Sequence, residues 1–238
     1  MFLQGSPELT KKNGIFIGRL SGISAHYIPK LFIKNRMPTW ETNCIEDWEE
    51  KVEKIIDETV GKKMTIIAGI PSWVQMYFEK IITKQQKSIS KVFPDLSLYV
   101  YGGVSYEPYK RMFERLFGKK IDTLATFPAS EGFFGYQDEF TEKEPDLLLL
   151  LNNDIFYEFI KTEDFLKGEY ERLSLEHVEL NVNYLLIIST SAGLWAYNIG
   201  DTVKFTSLKP YRLIVTGRVK HYLSAFGEHV IAEEVEKA

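Results

Sequence analysis

The sequence of 238 residues predicts an α/β fold, with an α/β sheet layer in the first half and a smaller β-rich subdomain in the second. Between Ile45 and Ala125, segments with helical spacing of apolar residues alternate with short apolar runs. This alternation favours a sheet with crossover helices. After Gln137 the helical spacing thins out and strand-like runs take over. The length is sufficient to bury a full core.

The first half starts with residues 1–40, which are rich in Gly, Pro and Ser and predict loops and short elements. Trp48, Val52, Ile55 and Ile56 then recur at helical spacing and predict a helix. Gly61 ends this helix before an apolar strand over 64–68.

Ile70-Pro71-Ser72 predicts the start of a second helix, because proline is tolerated where its missing N–H has no partner. A strand over 96–101 follows, and helical spacing returns over 106–117 before Gly118. A third strand is predicted over 121–125.

The second half contains four apolar runs that predict strands, over 147–151, 156–160, 184–189 and 211–215. Residues 163–165 predict at most a short helix. From these patterns we expect three parts: 1–140 as the α/β part, 141–217 as the β-rich subdomain, and 218–238 as a hinge and the start of a further region.

The composition argues against several classes of function. The net charge of −4 provides no field that would attract nucleic acid, and the lysines between Lys80 and Lys91 predict a solvated helix face. The single Cys44 fits a reducing compartment. The longest apolar run, 147–151, is too short to cross a bilayer, and no secretory signal pattern occurs, so a cytoplasmic protein without a membrane partner is expected. The four histidines show no zinc-ligand spacing.

The stretch Ala125–Gln137, ATFPASEGFFGYQ, carries the strongest chemical signal. The pattern predicts that the strand stops at Phe127-Pro128, since proline lacks the N–H that a ladder needs. Ser130 and Glu131 then form a polar tip on a buried stem. Glu131 can hold a hard cation, and Ser130 can donate to a phosphate that shares the cation. The alternative is that these residues only cap a turn.

Two further segments offer polar or open positions at predicted strand ends. Gly102-Gly103-Val104 lacks Cβ atoms at its two glycines, so that a flat base could lie on the peptide plane; a plain tight turn is the alternative. Asp201 is predicted at a turn after a strand, where it could accept from both hydroxyls of a ribose. The alternative there is an ordinary Gly-Asp turn.

These pieces occur in a fixed order: GGV, FPASEG, AGLWAYNIGD, and TGRVK followed by FGE and EEVE. The order resembles the acyl-adenylate-forming superfamily and, within it, the auxin-responsive (Gretchen Hagen) acyl acid amido synthetase family. IPSW at 70–73 and GRLSGI at 18–23 also resemble that family. The resemblance covers most of the chain, and the joint order is more specific than any single piece.

The resemblance implies ATP and Mg²⁺ as cofactors and assigns roles to individual residues. Glu131 would hold Mg²⁺ and Ser130 would approach a phosphate, as the two catalytic positions. Lys220 would lie at the hinge of a C-terminal lid. The implied nucleotide-binding set is Gly102, Gly103, Val104, Phe127 (stacked on adenine), Tyr197, Asp201 (on the ribose) and Arg218 (supporting Asp201).

The sequence departs from the family's pattern at several points. Phe127 stands where many relatives have Tyr, and Ala196 and Asn198 stand where relatives often carry Arg. The family's phosphate loop would precede residue 1, and the lid with its catalytic lysine would follow residue 238. The chain is therefore expected to be a central segment that is inactive alone.

The intact protein is expected to convert a carboxylic acid to an acyl-adenylate and to transfer the acyl group to an amine or amino acid. Two alternatives remain open at this point. One is a ligase of the same superfamily that passes the acyl group to coenzyme A. The other is a non-catalytic nucleotide-binding or scaffold protein that kept the fold.

Overall fold

The computed structural model describes residues 1–140, 145–219, 223–225 and 228–230. The chain divides into two compact units, Met1–Leu124 and Ala125–Ala238. This division falls before the domain boundary expected after residue 140, because the hairpin that follows Leu124 pairs with strands of the second unit. The three-part division expected from the sequence stays a prediction.

The first unit contains most of the helices. Its strands are β1 Thr10–Lys12, β2 Ile15–Ile17, β3 Ile66–Ala68 and β4 Leu98–Gly102. Its helices are α1 Leu20–His26, α2 Lys30–Ile33, α3 Trp40–Cys44, α4 Trp48–Thr59, α5 Pro71–Gln85, α6 Ile89–Val92 and α7 Glu107–Phe117. β3 and β4 are parallel, with Ile66 opposite Leu98.

The three long helices confirm the helical spacing read from the sequence. The side chain of Asp47 caps α4 by accepting from the backbone N–H of Glu50 at 2.8 Å. α5 begins at Pro71, and α7 is followed by Gly118 in the left-handed conformation. The apolar faces of these helices and strand β4 share a core of buried aromatic rings: Tyr77, Phe78, Phe93, Tyr99, Phe113 and Phe117.

The second unit is β-rich, as predicted. Its elements are β5 Asp122–Ala129, which begins at the end of the first unit, β6 Gly132–Tyr136, β7 Leu147–Leu149, β8 Ile155–Lys161, α8 Thr162–Lys167, β9 Leu173–Ser174, β10 Asn183–Thr190, β11 Tyr197–Leu208, β12 Tyr211–Arg218, β13 Leu223–Ala225 and β14 Glu228–Val230.

One antiparallel sheet dominates this unit, with the order β5-β6-β7-β12-β11-β10-β8-β9. Its core contains Phe159, Tyr184 and Phe205, whose rings meet edge to face with centroids 5.2–6.1 Å apart. The four strands predicted from apolar runs are all present. β11, the longest strand of the unit, was not predicted.

The prediction that the strand stops at Phe127-Pro128 is wrong. β5 continues to Ala129, with Pro128 opposite Phe133 and Ala129 opposite Gly132. A register irregularity between Phe127 and Pro128 accommodates the residue that has no N–H to donate. Ser130 and Glu131 therefore form the tight turn of a β-hairpin rather than a loop that leads away from the sheet.

Among the described helices, none combines the length and the apolar character needed to cross a bilayer.

Candidate functional site

The candidate site lies at the turn of the β5–β6 hairpin in the second unit. Ser130 and Glu131 connect the two strands, and both strands are anchored below the turn by buried rings. Phe127 packs edge to face against Phe134, with ring centroids 5.0 Å apart. A polar tip on a buried stem, as the sequence predicted, is therefore what the hairpin forms.

Phe127 itself is 5% exposed, which leaves little ring surface for a nucleotide base. The resemblance implied that this ring stacks on adenine, but here it forms part of the stem under the turn. The exposed ring of the hairpin is Phe133, which alternates to the opposite face of β6 from Phe134.

A cleft of about 300 Å³ opens beside this turn. Three turns meet there: the hairpin turn, the turn before β8 and the turn after β10. The residues that line it are Glu131, Gly132, Phe133, Leu150, Asn153, Asp154, Ile155, Thr190, Ser191 and Ala192.

Hydrogen bonds hold the three turns together. The Asn153 side-chain amide donates to the carbonyl oxygen of Phe133 at 2.6 Å. The backbone N–H of Ser191 donates to the carbonyl oxygen of Asp154 at 3.4 Å. The cleft thus has fixed walls, and it presents two carboxylates and two hydroxyl groups to a ligand.

Asp201 lies within β11, directly opposite Arg218 on β12. The predicted position at a turn after a strand is therefore wrong, and so is the alternative of an ordinary Gly-Asp turn. Gly200, with φ of 82°, introduces a local irregularity but does not end the strand. Arg218 donates from Nε to Asp201 Oδ1 at 2.7 Å. The side chain of Asp201 is 10% exposed, whereas that of Arg218 is 60% exposed.

The electrostatics connect Asp201 with the hairpin turn. Burial raises the pKa of Asp201 above its ordinary value, and the charge and hydrogen bond of Arg218 oppose this rise. The charge of Glu131 raises the pKa of Asp201 further. The Asp201–Arg218 pair therefore feels the charge at the hairpin turn, although only Arg218 contacts Asp201 directly.

Two side chains at this cleft are of the chemical type that a magnesium ion uses as ligands. Mg²⁺ prefers oxygen ligands and commonly uses one or two carboxylates together with water and substrate phosphates. Glu131 and Asp154 supply carboxylate oxygens at the same cleft. No group of three or more His, Cys, Asp or Glu side chains that could hold a metal ion occurs among the described residues. A phosphate-bearing substrate would have to complete the coordination.

The remaining predicted residues lie elsewhere. Tyr197 is the first residue of β11 and is exposed. Gly102 is the last residue of β4 in the first unit, and Gly103 and Val104 follow it, with Gly103 in the left-handed region and Val104 exposed. Lys220 lies outside the described residues, as do Phe226-Gly227 and 231–238.

Sequence reasoning missed three contributors to the cleft, namely Asp154, Thr190 and Ser191. The segment Asn152-Asn153-Asp154 has the composition of a turn between two strands, but nothing in it indicates a ligand site. Asp154 has φ of 59°, a conformation that Asn and Asp tolerate better than most residues. The turn before β8 and the turn after β10 lie at the ends of neighbouring strands. Their turn signals could have indicated that residues of both turns line one cleft.

The family model for the GH3 family central domain matches residues 148–218. The chain is 28% identical over 185 residues to jasmonoyl-L-amino acid synthetase GH3.5 of Oryza sativa subsp. japonica, covering 67% of this chain and 32% of that protein. It is 32% identical over 121 residues to jasmonoyl-L-amino acid synthetase JAR4 of Nicotiana attenuata, covering 49% of this chain and 21% of that protein. The chain thus spans a third or less of the length of these relatives.

The fold is similar to that of the AtGH3.15 acyl acid amido synthetase in complex with 2,4-DB. The TM-score is 0.72 at 12% sequence identity, over 99% of this chain and 50% of that one. At this identity the likeness establishes the fold alone. It agrees with the predicted α/β layer and the smaller β-rich subdomain.

Proposed function

The chain belongs to the GH3 family through its central domain at residues 148–218, and from this premise we propose that the intact protein is an acyl acid amido synthetase. It would use ATP to convert a carboxylic acid to an acyl-adenylate, and an amino acid would then accept the acyl group. The names of the relatives and the shared fold support this proposal. The observation that carries it is the hairpin turn that presents Glu131 to a cleft of the second unit, in the same sheet as the Asp201–Arg218 ion pair.

The proposed reaction has two balanced steps. A carboxylate oxygen of the acid attacks the α-phosphorus of ATP, and pyrophosphate leaves. The amine of the acceptor then attacks the acyl carbon, loses a proton and displaces AMP. Neither step requires a protein nucleophile, so the task of the protein is to position the reactants and to neutralise charge.

We assign the carboxylate of Glu131 to Mg²⁺ and the hydroxyl of Ser130 to a phosphate oxygen. Bound Mg²⁺ would offset the negative charge that gathers on the phosphates as the P–O bond breaks. Both residues lie in a two-residue turn anchored to the sheet at either end, so they are held with little freedom.

We assign Asp201 to the ribose hydroxyls. Arg218 donates to Oδ1 of Asp201, which leaves Oδ2 as an acceptor, and its charge opposes the rise in the pKa of Asp201 that burial causes. A charged acceptor binds a hydroxyl more strongly than a neutral one does. In the first unit, Gly102, Gly103 and Val104 are proposed to offer backbone surface to the base, and Tyr197 to contact the nucleotide. Lys220 is proposed as the hinge of the lid.

The test is pyrophosphate release by the full-length protein, screened over aryl and aliphatic acids with ATP and Mg²⁺. Glu131→Ala is compared with Glu163→Ala, since Glu163 is exposed on α8 of the same unit. Loss of one preorganised electrostatic contact to reacting phosphates lowers kcat by about 10²–10³-fold. We expect such a loss for Glu131→Ala and an unchanged rate for Glu163→Ala. Equal rates in the two variants would remove the role assigned to Glu131.

The acceptor is identified in the same assay by offering amino acids and coenzyme A together. Formation of an amide supports the synthetase. Formation of a thioester alone would replace it with a coenzyme A ligase, and no pyrophosphate release with any acid would favour a non-catalytic protein.

A further inference from the structure

The turn before β8 supports the hairpin turn that carries Glu131, at a place where strand β7 has already ended. β7 is the neighbour of β6 in the sheet and stops at Leu149. The next backbone N–H, that of Leu150, still donates to the carbonyl oxygen of Phe134 at 2.8 Å. β7 therefore does not reach the carbonyl oxygen of Phe133, which lies one residue closer to the hairpin turn.

Asn153 supplies the hydrogen bond that β7 does not provide. Its side-chain Nδ2 donates to the carbonyl oxygen of Phe133 at 2.6 Å. Phe133 is the second residue after Glu131, so this bond holds the backbone next to the proposed metal ligand. The two turns can approach closely because of Gly132, where a Cβ atom would lie 2.8 Å from Cδ1 of Ile155. The side chain of Asn153 thus takes the place of a strand residue.

The same bond determines which way the Asn153 amide points. Because Nδ2 faces the carbonyl oxygen of Phe133, Oδ1 points elsewhere and needs a donor of its own. This oxygen is buried and has no hydrogen-bond partner within the described part of the chain. A buried acceptor without a partner has lost its hydration without compensation, which destabilises the folded state.

Tyr157 has the complementary group. It lies on β8, four residues after Asn153, and is 4% exposed. Its ring packs edge to face against Phe134, with centroids 6.4 Å apart, so Asn153 and Tyr157 contact consecutive residues of β6. The Tyr157 hydroxyl is also buried without a hydrogen-bond partner among the described residues. Burial raises the pKa of Tyr157, and the side chain of Asn153 opposes this rise, as expected for a polar group close to the hydroxyl.

We propose that Asn153 and Tyr157 are positioning residues for Glu131, linked in one hydrogen-bond network. In this network the hydroxyl of Tyr157 donates to Oδ1 of Asn153, and Nδ2 of Asn153 donates to the carbonyl oxygen of Phe133. A hydroxyl hydrogen turns toward its acceptor, so one bond gives both buried oxygens a partner. Linked hydrogen bonds polarise one another, so Tyr157 strengthens the bond that Asn153 makes. The inference rests on the proposed function, because it concerns where the Mg²⁺ ligand is held.

Hydrogen–deuterium exchange of the hairpin peptide 125–137 tests this network without an activity measurement. All variants are made in the full-length protein. Asn153→Ala removes the donor, and Asn152→Ala is the matched control, because Asn152 is exposed in the same turn. We expect exchange of the hairpin to be about 10-fold faster in Asn153→Ala, since the carbonyl oxygen of Phe133 loses its partner, and unchanged in Asn152→Ala. Unchanged exchange in Asn153→Ala would overturn the proposal.

The magnesium dependence of pyrophosphate release separates positioning from a purely structural role. Loss of stability alone lowers the amount of active protein and leaves the half-saturating Mg²⁺ concentration unchanged. If Asn153 positions Glu131, Asn153→Ala should raise that concentration about 10-fold, the lower end for residues that orient metal ligands, with the KM for the acid unchanged. Tyr157→Phe keeps the ring and removes one neutral hydrogen bond, so it should raise the concentration about 3-fold. Tyr170→Phe, at an exposed tyrosine of the same unit, should have no effect.

The double variant shows whether the two residues act in one network. Because Tyr157 acts through Asn153, adding Tyr157→Phe to Asn153→Ala should change neither the half-saturating Mg²⁺ concentration nor the hairpin exchange any further. Effects that multiply would overturn the network, and an unchanged half-saturating Mg²⁺ concentration in Asn153→Ala would overturn the positioning role. If the natural protein releases no pyrophosphate with any acid, the adenylation proposal fails, and hairpin exchange in the single and double variants still decides whether the network exists.

Discussion

Removal of the guanidinium of Arg218 tests how the Asp201 site is built. Arg218→Met keeps much of the aliphatic stem but removes the N–H that donates to Asp201 Oδ1 at 2.7 Å. Breaking a fully buried ion pair by removing one partner costs about 3–5 kcal/mol. Here Arg218 is more than half exposed, so water can replace part of the lost contact. We therefore expect a loss of about 1–2 kcal/mol in the free energy of unfolding at pH 7.5.

The pH dependence of that loss separates this explanation from a simple packing effect. Burial raises the pKa of Asp201 above 3.8, Arg218 opposes the rise and Glu131 adds to it. A carboxyl group with a raised pKa binds more protons in the folded state, so its contribution to stability falls as the pH rises through the interval above 3.8. Without Arg218 the pKa of Asp201 rises further. The destabilisation by Arg218→Met should then be complete at pH 7.5 and should shrink as the pH approaches 4.

Hydrogen–deuterium exchange of peptides from β10, β11 and β12 measures the opening free energy of the unit in which the pair lies. Arg172→Met is the control, because its partner Glu158 lies in the same sheet and has a side chain that is 19% exposed, against 10% for Asp201. We expect less than about 0.5 kcal/mol there. Asp201→Asn combined with Arg218→Met should show no pH-dependent loss. If Arg218→Met is as stable as the natural chain at pH 7.5, or loses the same free energy at both pH values, the buried carboxylate does not depend on Arg218.

Three further changes test other parts of the structure. Gly200→Ala should destabilise the second unit by about 1 kcal/mol. The cause is backbone strain at φ of 82° and not a steric clash, because no atom lies within 4 Å of the added Cβ. Hydrogen–deuterium exchange of the β11 peptides measures the loss, which should be smaller for Gly200→Asn. Phe134→Ala should cost about 3–5 kcal/mol, since the ring is fully buried under the hairpin turn, and the melting temperature should fall accordingly. Burial would raise the pKa of Glu58, but hydrogen bonds from Thr42 and Thr39 outweigh it and hold that pKa below 4.5. The stabilisation by Glu58 is present above pH 4.5 and is lost as the pH falls through the lowered pKa. Glu58→Gln should therefore destabilise the first unit more at pH 7 than at pH 3. Urea titration at the two pH values measures this difference.

The three long helices of the first unit could be predicted because their signals are local. α4 and α5 each have an apolar stripe on one side and a recognisable start, Asp47 or Pro71, and the stripe packs on the aromatic core. The short strands between them also followed from composition. In this half of the chain, local preference and tertiary packing agree, which is the condition under which sequence patterns are reliable.

Pro128 shows where a local rule fails. The rule that proline ends a ladder is correct for a regular antiparallel pair, in which every second residue must donate. At Phe127 and Pro128 the pairing register shifts, and the position without an N–H falls at the irregularity. A bulge is a property of two strands together, so Pro128 alone could not reveal it.

Asp201 and Arg218 extend this argument to the site itself. Gly200 and the polar residues around it indicated a turn, yet they lie inside a strand of twelve residues because β10 and β12 pair on either side. The pairing with Arg218 was nevertheless within reach of the sequence. Leu208 is opposite Tyr211 across the Lys209-Pro210 turn, and equal steps outward along both strands lead to Asp201 and Arg218.

Two register shifts lie between those ends, at Thr202/Val203 and at Phe205/Ser207, and they compensate each other. A count from the turn therefore gives the correct partner for Asp201, although it would misplace Val203 and Phe205. A bulge changes the direction of the side chains near it, and the two strands can keep the same pairing register beyond it. The Asp201–Arg218 pair lies next to such an irregularity, and the partner of Asp201 follows from strand pairing rather than from local composition.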